Sequence, residues 1–178
     1  MKNSSYFDQM TQTMTSISQD PKLIFVGQAV EYAGTAMKST LTGVPDSQLV
    51  EVPVEEDFQM GLCIGLSLKG YRPISIFPRW NFLLLATNQI VNHLDKLKHL
   101  TLSQPPKVVI RVGVGSESPL HPGPQHVGDF TESFKLLCPN MNIVQLRNSS
   151  DISSEYSHAL SRNDGVSTIL VEYSDLFN

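Results

Sequence analysis

The sequence predicts an α/β domain, a three-layer α/β/α sandwich around a mainly parallel sheet. Short apolar runs alternate with segments of helical periodicity, the pattern of successive βα units. The runs are apolar on both faces, as strands must be when helices cover both sides of a sheet. Gly and Pro punctuate the segments, and no repeat, low-complexity tract or linker divides them. All 178 residues, 1–178, read as one domain with one sizeable core.

Residues 7–18 carry weak helical periodicity, closed by Asp20-Pro21. The apolar run 22–26 ends at Gly27 and predicts a buried strand, with a helix expected over 29–39. A second strand is expected over 48–54, then a helix over 55–68 stopped by Gly70. A third strand at 73–77 precedes a long helix over 82–100. The run 107–112 is almost entirely β-branched and predicts a fourth strand. A loop rich in Gly, Pro and His covers 113–128. A helix over 130–137, a strand over 142–146, a helix over 150–161 and a strand over 167–172 complete the chain. Ligands of such sheets sit at the carboxyl ends of the strands. The candidate site segments are therefore 27–30, 53–57, 78–82 and 113–128.

Bulk properties narrow the class of partner. A net charge of −4 gives no electrostatic reason to expect nucleic acid or an anionic membrane. No apolar run approaches the roughly 20 residues that span a bilayer. The polar stretch 1–19 does not resemble a signal peptide. Cys63 and Cys138 sit in unrelated apolar contexts with no metal-ligand spacing, which predicts reduced core thiols and a cytoplasmic setting.

Motifs then fall on the strand ends in order. Phe25-Val26-Gly27-Gln28-Ala29-Val30 closes the first strand, and Glu51-Val52-Pro53-Val54-Glu55-Glu56 joins the second strand to its helix. Gly61, Gly65 and Gly70-Tyr71-Arg72-Pro73 follow, then Asn81-Phe82, Asn88-Gln89-Ile90-Val91-Asn92 and Gly123-Pro124-Gln125-His126. Each piece alone is weak; the ordered set is specific. It resembles the N-terminal, pyrimidine-binding domain of the β subunit of 2-oxo acid dehydrogenase E1 components, thiamine-diphosphate enzymes of the transketolase-like superfamily. The likeness covers about residues 7–172.

The resemblance implies thiamine diphosphate as cofactor, shared between this chain and a separate E1 α-like, diphosphate-binding chain. That partner is expected to carry Mg²⁺, because the family's Gly-Asp-Gly motif with its later Asn does not occur here. Asn163-Asp164-Gly165 is a turn before the last strand. A homo- or hetero-oligomer is implied. The family β subunit continues into a second α/β domain, whereas this sequence ends at Asn178.

Residue by residue, the likeness casts Glu56 as the carboxyl group that hydrogen-bonds the aminopyrimidine ring and promotes loss of the thiazolium C2 proton, a role that needs a dry setting. The plain reading of Glu56 is a first-turn helix carboxylate complementing the helix dipole. Phe82 matches the aromatic that stacks on the pyrimidine, against the plain reading of a core Phe. His126 matches a loop histidine facing substrate, where an imidazole donates to developing negative charge. Val54, Gln28 and Leu85 fall at the remaining cofactor contacts. Gly61 and Gly65 form a small-residue stripe, read either as a subunit interface or as close packing inside the domain. Trp80 is expected at a subunit contact or the surface, Gln89 as structural, and Glu55 and Asp57 as solvated acids.

Departures from the family pattern also stand out. Gln28 replaces a Glu and cannot ionise, and Leu85 replaces a hydrogen-bonding Gln. Pro78-Arg79 replaces an apolar pair lining the pocket, and Val127-Gly128-Asp129 follows His126 in place of Ser-Gln-Ser. Two functions fit: a subunit of a lyase or transferase acting on 2-oxo acids or ketols, or a non-catalytic paralogue with a structural or regulatory role.

Overall fold

A computed structural model describes residues 5–99, 106–115 and 121–177. A six-stranded sheet runs in the order β2-β1-β3-β4-β6-β5, with β1 at Leu23–Gly27, β2 at Leu49–Glu51, β3 at Arg72–Phe77, β4 at Val109–Val114, β5 at Asn142–Leu146 and β6 at Thr168–Tyr173. Every neighbouring pair is parallel. The expected sandwich is the observed one, and all strands deliver their carboxyl ends to one edge.

Alternation along the strands divides the core into two layers. Ile74 and Ile76 of β3 face a layer with Phe25, Tyr156 of α6 (Ser149–Ser161) and Met10 and Met14 of α1 (Tyr6–Ile17). Phe77 faces the other way, with Val26, Ile110, Ile169 and the buried Met60 and Cys63 of α3 (Glu56–Leu68). Helix α1 buries Tyr6, Met10, Thr13 and Met14, positions that share one helical face. The hydroxyl of Ser5 caps that helix by accepting from the Asp8 amide at 3.1 Å.

Three expectations about elements need correction. The helix expected over 29–39 exists only as α2, Ala36–Ser39, capped by the Thr35 side chain. The preceding residues are held open by a carboxylate from β2, described below. The strand expected over 48–54 stops at Glu51, because Val52 makes the last bond to β1 (to Gly27 O, 3.0 Å) and Pro53 has no N–H to donate. The long helix expected over 82–100 is helical but segmented: α4 (Trp80–Leu83), a 3₁₀ turn (Leu84–Ala86), a π-helical stretch (Gln89–Leu94) and a second 3₁₀ turn (Leu97–His99). Leu100 lies outside the described residues. The β-branched run 107–112 contains Arg111, which is fully buried and paired with Glu172 on β6 at 2.5 and 2.9 Å. The Tyr156 hydroxyl also donates to Glu172 at 2.8 Å, while Arg111 Nη1 is buried without a partner among the described residues.

The π-helical stretch ends on a buried anchor. Asp95 accepts from the Asn140 amide at 2.8 Å, from Asn140 Nδ2 at 3.0 Å and from Lys96 Nζ at 2.7 Å. This ties the stretch to the turn after α5 (Thr131–Leu137), and the Asp95 amide reaches back five residues to Ile90 O at 2.8 Å. Burial alone pulls the Asp95 carboxyl upward, but the hydrogen bonds from Lys96 and Asn140 outweigh it and hold the carboxyl below its ordinary range. A lowered folded-state value stabilises the fold above the unfolded value of about 3.9, and that contribution fades as pH falls through the folded value. Asp95→Asn should therefore cost about 1–3 kcal/mol at neutral pH in urea unfolding. The gap to wild type should close as pH falls from about 5 to 2. A gap that is constant with pH would contradict this role.

Candidate functional site

The open edge of the sheet has its topological switch between β1 and β3, because the chain leaves β1 toward β2 and leaves β3 toward β4. The segment after β1 is held by Glu51, at the end of β2. Its carboxylate accepts from three consecutive amides, those of Ala29 at 2.6 Å, Val30 at 2.8 Å and Glu31 at 3.0 Å. Ala29 is left-handed, with φ of 53°, a conformation that costs about 1–2 kcal/mol for an L-residue. A carboxylate acting on successive N–H groups outcompetes a helical ladder here. Gln28 is thereby set half-buried on the lip of the crevice. Sequence reasoning quoted Glu51 only as part of a motif; a carboxylate at a strand end, just ahead of a proline, was the available signal.

Glu56 opens α3 on the far side of Pro53. It is 3% exposed and makes no hydrogen bond or ion pair with a described residue. Its neighbours behave differently: Glu55 is exposed, and Asp57 accepts from Gln89 Nε2 at 3.1 Å. Asp57 is thus not simply solvated, and Gln89 links the π-helical stretch to the start of α3. The Glu56 carboxyl is thus both buried and without a partner among the described residues, unlike its two acidic neighbours.

Phe82 and His126 meet. Their ring centres are 5.8 Å apart at 53°, and Arg79 Nη1 donates to His126 O at 2.9 Å. His126 Nδ1 and Asn81 Oδ1 are both buried without a partner. The turn Leu84–Ala86 packs on α3, and α4 packs on the turn Pro124–His126. The segments bearing Glu56, Phe82 and His126 therefore form one continuous wall. Trp80 is not at the surface: it is fully buried, with its ring 4.9 Å from Phe134. It anchors α4 so that the half-buried Phe82 can face the loop histidine.

Val54 and Leu85 are 80% and 65% exposed, outside the buried part of the wall. With Phe58, 51% exposed, they leave an apolar surface beside the site. Gly61 and Gly65 are not explained by packing within the chain: a Cβ at Gly61 comes no closer than 3.9 Å to Gln89, and one at Gly65 meets nothing.

Other chemistry is limited. Cys63 and Cys138 are free and buried, and burial pushes both thiols up to about 12. His93, His99, His121 and His158 are exposed. Among the described residues no cluster of His, Cys, Asp or Glu is placed to hold a metal ion, and no helix is long and apolar enough to cross a membrane.

Removal of the Glu51 carboxylate in Glu51→Ala should free the amides of Ala29, Val30 and Glu31. Hydrogen exchange at those three positions is expected to rise at least about 10-fold while strand amides stay protected. Ala29→Gly should instead gain about 0.5–1 kcal/mol in stability, since glycine accepts a positive φ. Unchanged exchange in Glu51→Ala would show that the loop holds without its clamp.

Comparisons with known proteins bear on the family and the fold. Residues 5–177 match the family model described as transketolase, pyrimidine binding domain. The β subunit of the mitochondrial pyruvate dehydrogenase E1 component from Homo sapiens is 26% identical over 164 residues, 89% of this chain and 45% of that protein. The Mus musculus counterpart is 25% identical over 154 residues, 84% of this chain and 42% of the relative. This chain thus spans less than half the length of these relatives. A solved split-gene transketolase, described as an inactive β4 tetramer, superposes with a TM-score of 0.65 at 12% identity, covering 96% of this chain and 51% of that one.

Proposed function

Because this chain belongs to the transketolase pyrimidine-binding domain family, we propose that it supplies the aminopyrimidine half of a thiamine-diphosphate site. It acts with a separate diphosphate-binding chain, E1 α-like, in 2-oxo acid decarboxylation or in acyl or ketol transfer. The carrying observation is Glu56: a buried carboxyl at the carboxyl edge of a parallel sheet, with no partner among the described residues. A pyrimidine ring nitrogen is a flat, directional partner for such a group.

Thiamine diphosphate, when bound, would supply a carbon nucleophile for a carbonyl and a cationic ring that serves as electron sink. The chain's own residues serve that chemistry in distinct ways. Glu56 sets its carboxyl within reach of the pyrimidine ring nitrogen, with which it would share a hydrogen bond. Phe82 offers an aromatic face, worth about 0.5–1.5 kcal/mol beyond burial. His126 donates from its ring to an oxygen of the substrate, where charge develops. Gln28, on the clamped lip, contributes an uncharged amide beside the cofactor. Mg²⁺ belongs, in this reading, to the partner chain.

The partner docks on the exposed side of α3. Val54, Phe58 and Leu85 present apolar area, and Gly61 and Gly65 let another backbone approach closely. The β subunits of E1 enzymes and the split-gene transketolase tetramer support an oligomer.

Two features favour a second reading, a non-catalytic paralogue with a structural or regulatory role. Gln28 has no ionisable proton, and Leu85 offers no hydrogen-bond acceptor where it stands exposed. Hydrogen–deuterium exchange at thiazolium C2, followed by NMR in the assembled complex, separates the two. The catalytic reading expects wild type to accelerate exchange and Glu56→Gln to slow it at least about 100-fold, with cofactor affinity within a few-fold of wild type. Equal, fast exchange in both would remove Glu56 from the chemistry. Exchange no faster than in free cofactor, in both, would establish the paralogue.

A further inference from the structure

Arg79 departs from the apolar pattern at a pocket-lining position, and the fold builds a specific seat for it. It stands at the carboxyl end of β3, just ahead of α4, and is half-buried. Among the described residues, its five N–H donors make one hydrogen bond, from Nη1 to His126 O at 2.9 Å. No described carboxylate lies within ion-pair distance of it. Gly115, at the end of β4, makes the seat possible: a Cβ there would lie 2.3 Å from Arg79 Nη1 and 2.0 Å from His126 O. A side chain at that position would therefore break the contact between Arg79 and the histidine loop.

The second arginine near this strand end is already engaged. Arg147, which shares a cleft of about 250 Å³ with Gly115, lies 4.3 Å over the Tyr173 ring and donates to its hydroxyl at 2.8 Å. Arg79 is different: a half-buried residue tied to the backbone of His126, with the rest of its planar fork unpaired among the described residues. Such a fork matches carboxylate, sulfonate or phosphonate oxygens in a bidentate manner.

We infer that Arg79 is a specificity-determining residue that selects a donor carrying a second anionic group, remote from the reacting carbonyl. This rests on the reading of the site as half of a thiamine-diphosphate centre. Pyruvate, which lacks the second anion, is then a poor donor, while a 2-oxo acid with a carboxylate or phosphonate at its far end is a good one.

The test uses the complex of this chain with its diphosphate-binding partner. Pyruvate, 2-oxoglutarate and 3-phosphonopyruvate serve as donors, each losing CO2 and taking up one proton at the former carbonyl carbon to give the aldehyde. Wild type should favour at least one anion-tailed donor over pyruvate by about 10-fold or more in kcat/KM. The better of the two tails distinguishes a carboxylate from a phosphonate donor. Arg79→Met should collapse that ratio by at least about 10-fold, and Arg79→Lys should restore part of it. Calorimetry with two unreactive probes, glutarate and butyrate, separates this inference from the reading beneath it. Preference for glutarate that is lost in Arg79→Met supports the anion subsite even if no donor is turned over, a result that would instead count against the catalytic reading. Turnover of pyruvate as efficient as that of both anion-tailed donors overturns the inference while leaving the catalytic reading intact. So does a selectivity ratio, or a preference for glutarate, that survives Arg79→Met.

Discussion

The amide of Gln59 anchors helix α3, and the site depends on where that helix begins. Gln59 is fully buried between α3 and the sheet. Its Nε2 donates to Ser75 Oγ and Ile76 O, both at 3.0 Å, and lies 3.4 Å from Val26 O. These acceptors belong to β1 and β3, the two strands that flank the switch point of the sheet. One side chain thus pins the helix to both walls of the crevice. Glu56 lies one turn earlier on the same helix, so the pin also fixes the depth at which its carboxyl is buried. A polar contact in an apolar layer is directional in a way that Met60 and Cys63, its neighbours there, are not.

The rest of the wall is assembled by the same kind of local device. Glu51 converts the backbone after β1 into a fixed lip, Trp80 seats α4, and Arg79 with Gly115 fastens the histidine loop to the ends of β3 and β4. Each device acts where a strand ends and the ladder no longer satisfies the backbone. The parallel sheet collects these ends at one edge, so small independent anchors produce one continuous surface. Burial of Arg111 and Glu172 within the sheet follows a different logic, since that pair is joined by Tyr156 inside the core and takes no part in the wall.

Much of this was legible in the sequence because periodicity reports burial. The run 142–146 predicted β5 to the residue, and the helix expected over 55–68, stopped by Gly70, matches α3 to within one residue. Glu56, Phe82 and His126 were legible through their order along the chain, and the structure places them on adjoining elements. What escaped depended on contacts between distant residues. Nothing local announces that Glu51 will capture amides 20 to 22 residues earlier and so forbid a helix after Val30. The segmentation after Leu83 depends on Asp95 finding Asn140, and the burial of Trp80 on Phe134. Val54 and Leu85 were placed among cofactor contacts by register alone; their exposure makes them surface residues unless another chain covers them.

The claim at the centre is that the carboxyl of Glu56 is left for a group this chain does not contain. A structure of the chain assembled with its diphosphate-binding partner and thiamine diphosphate tests it most directly. The account predicts Glu56 within hydrogen-bond distance of a pyrimidine ring nitrogen, with Phe82 against the face of that ring. A Glu56 carboxylate paired instead with an arginine or lysine of the partner, and the pyrimidine elsewhere, would contradict it.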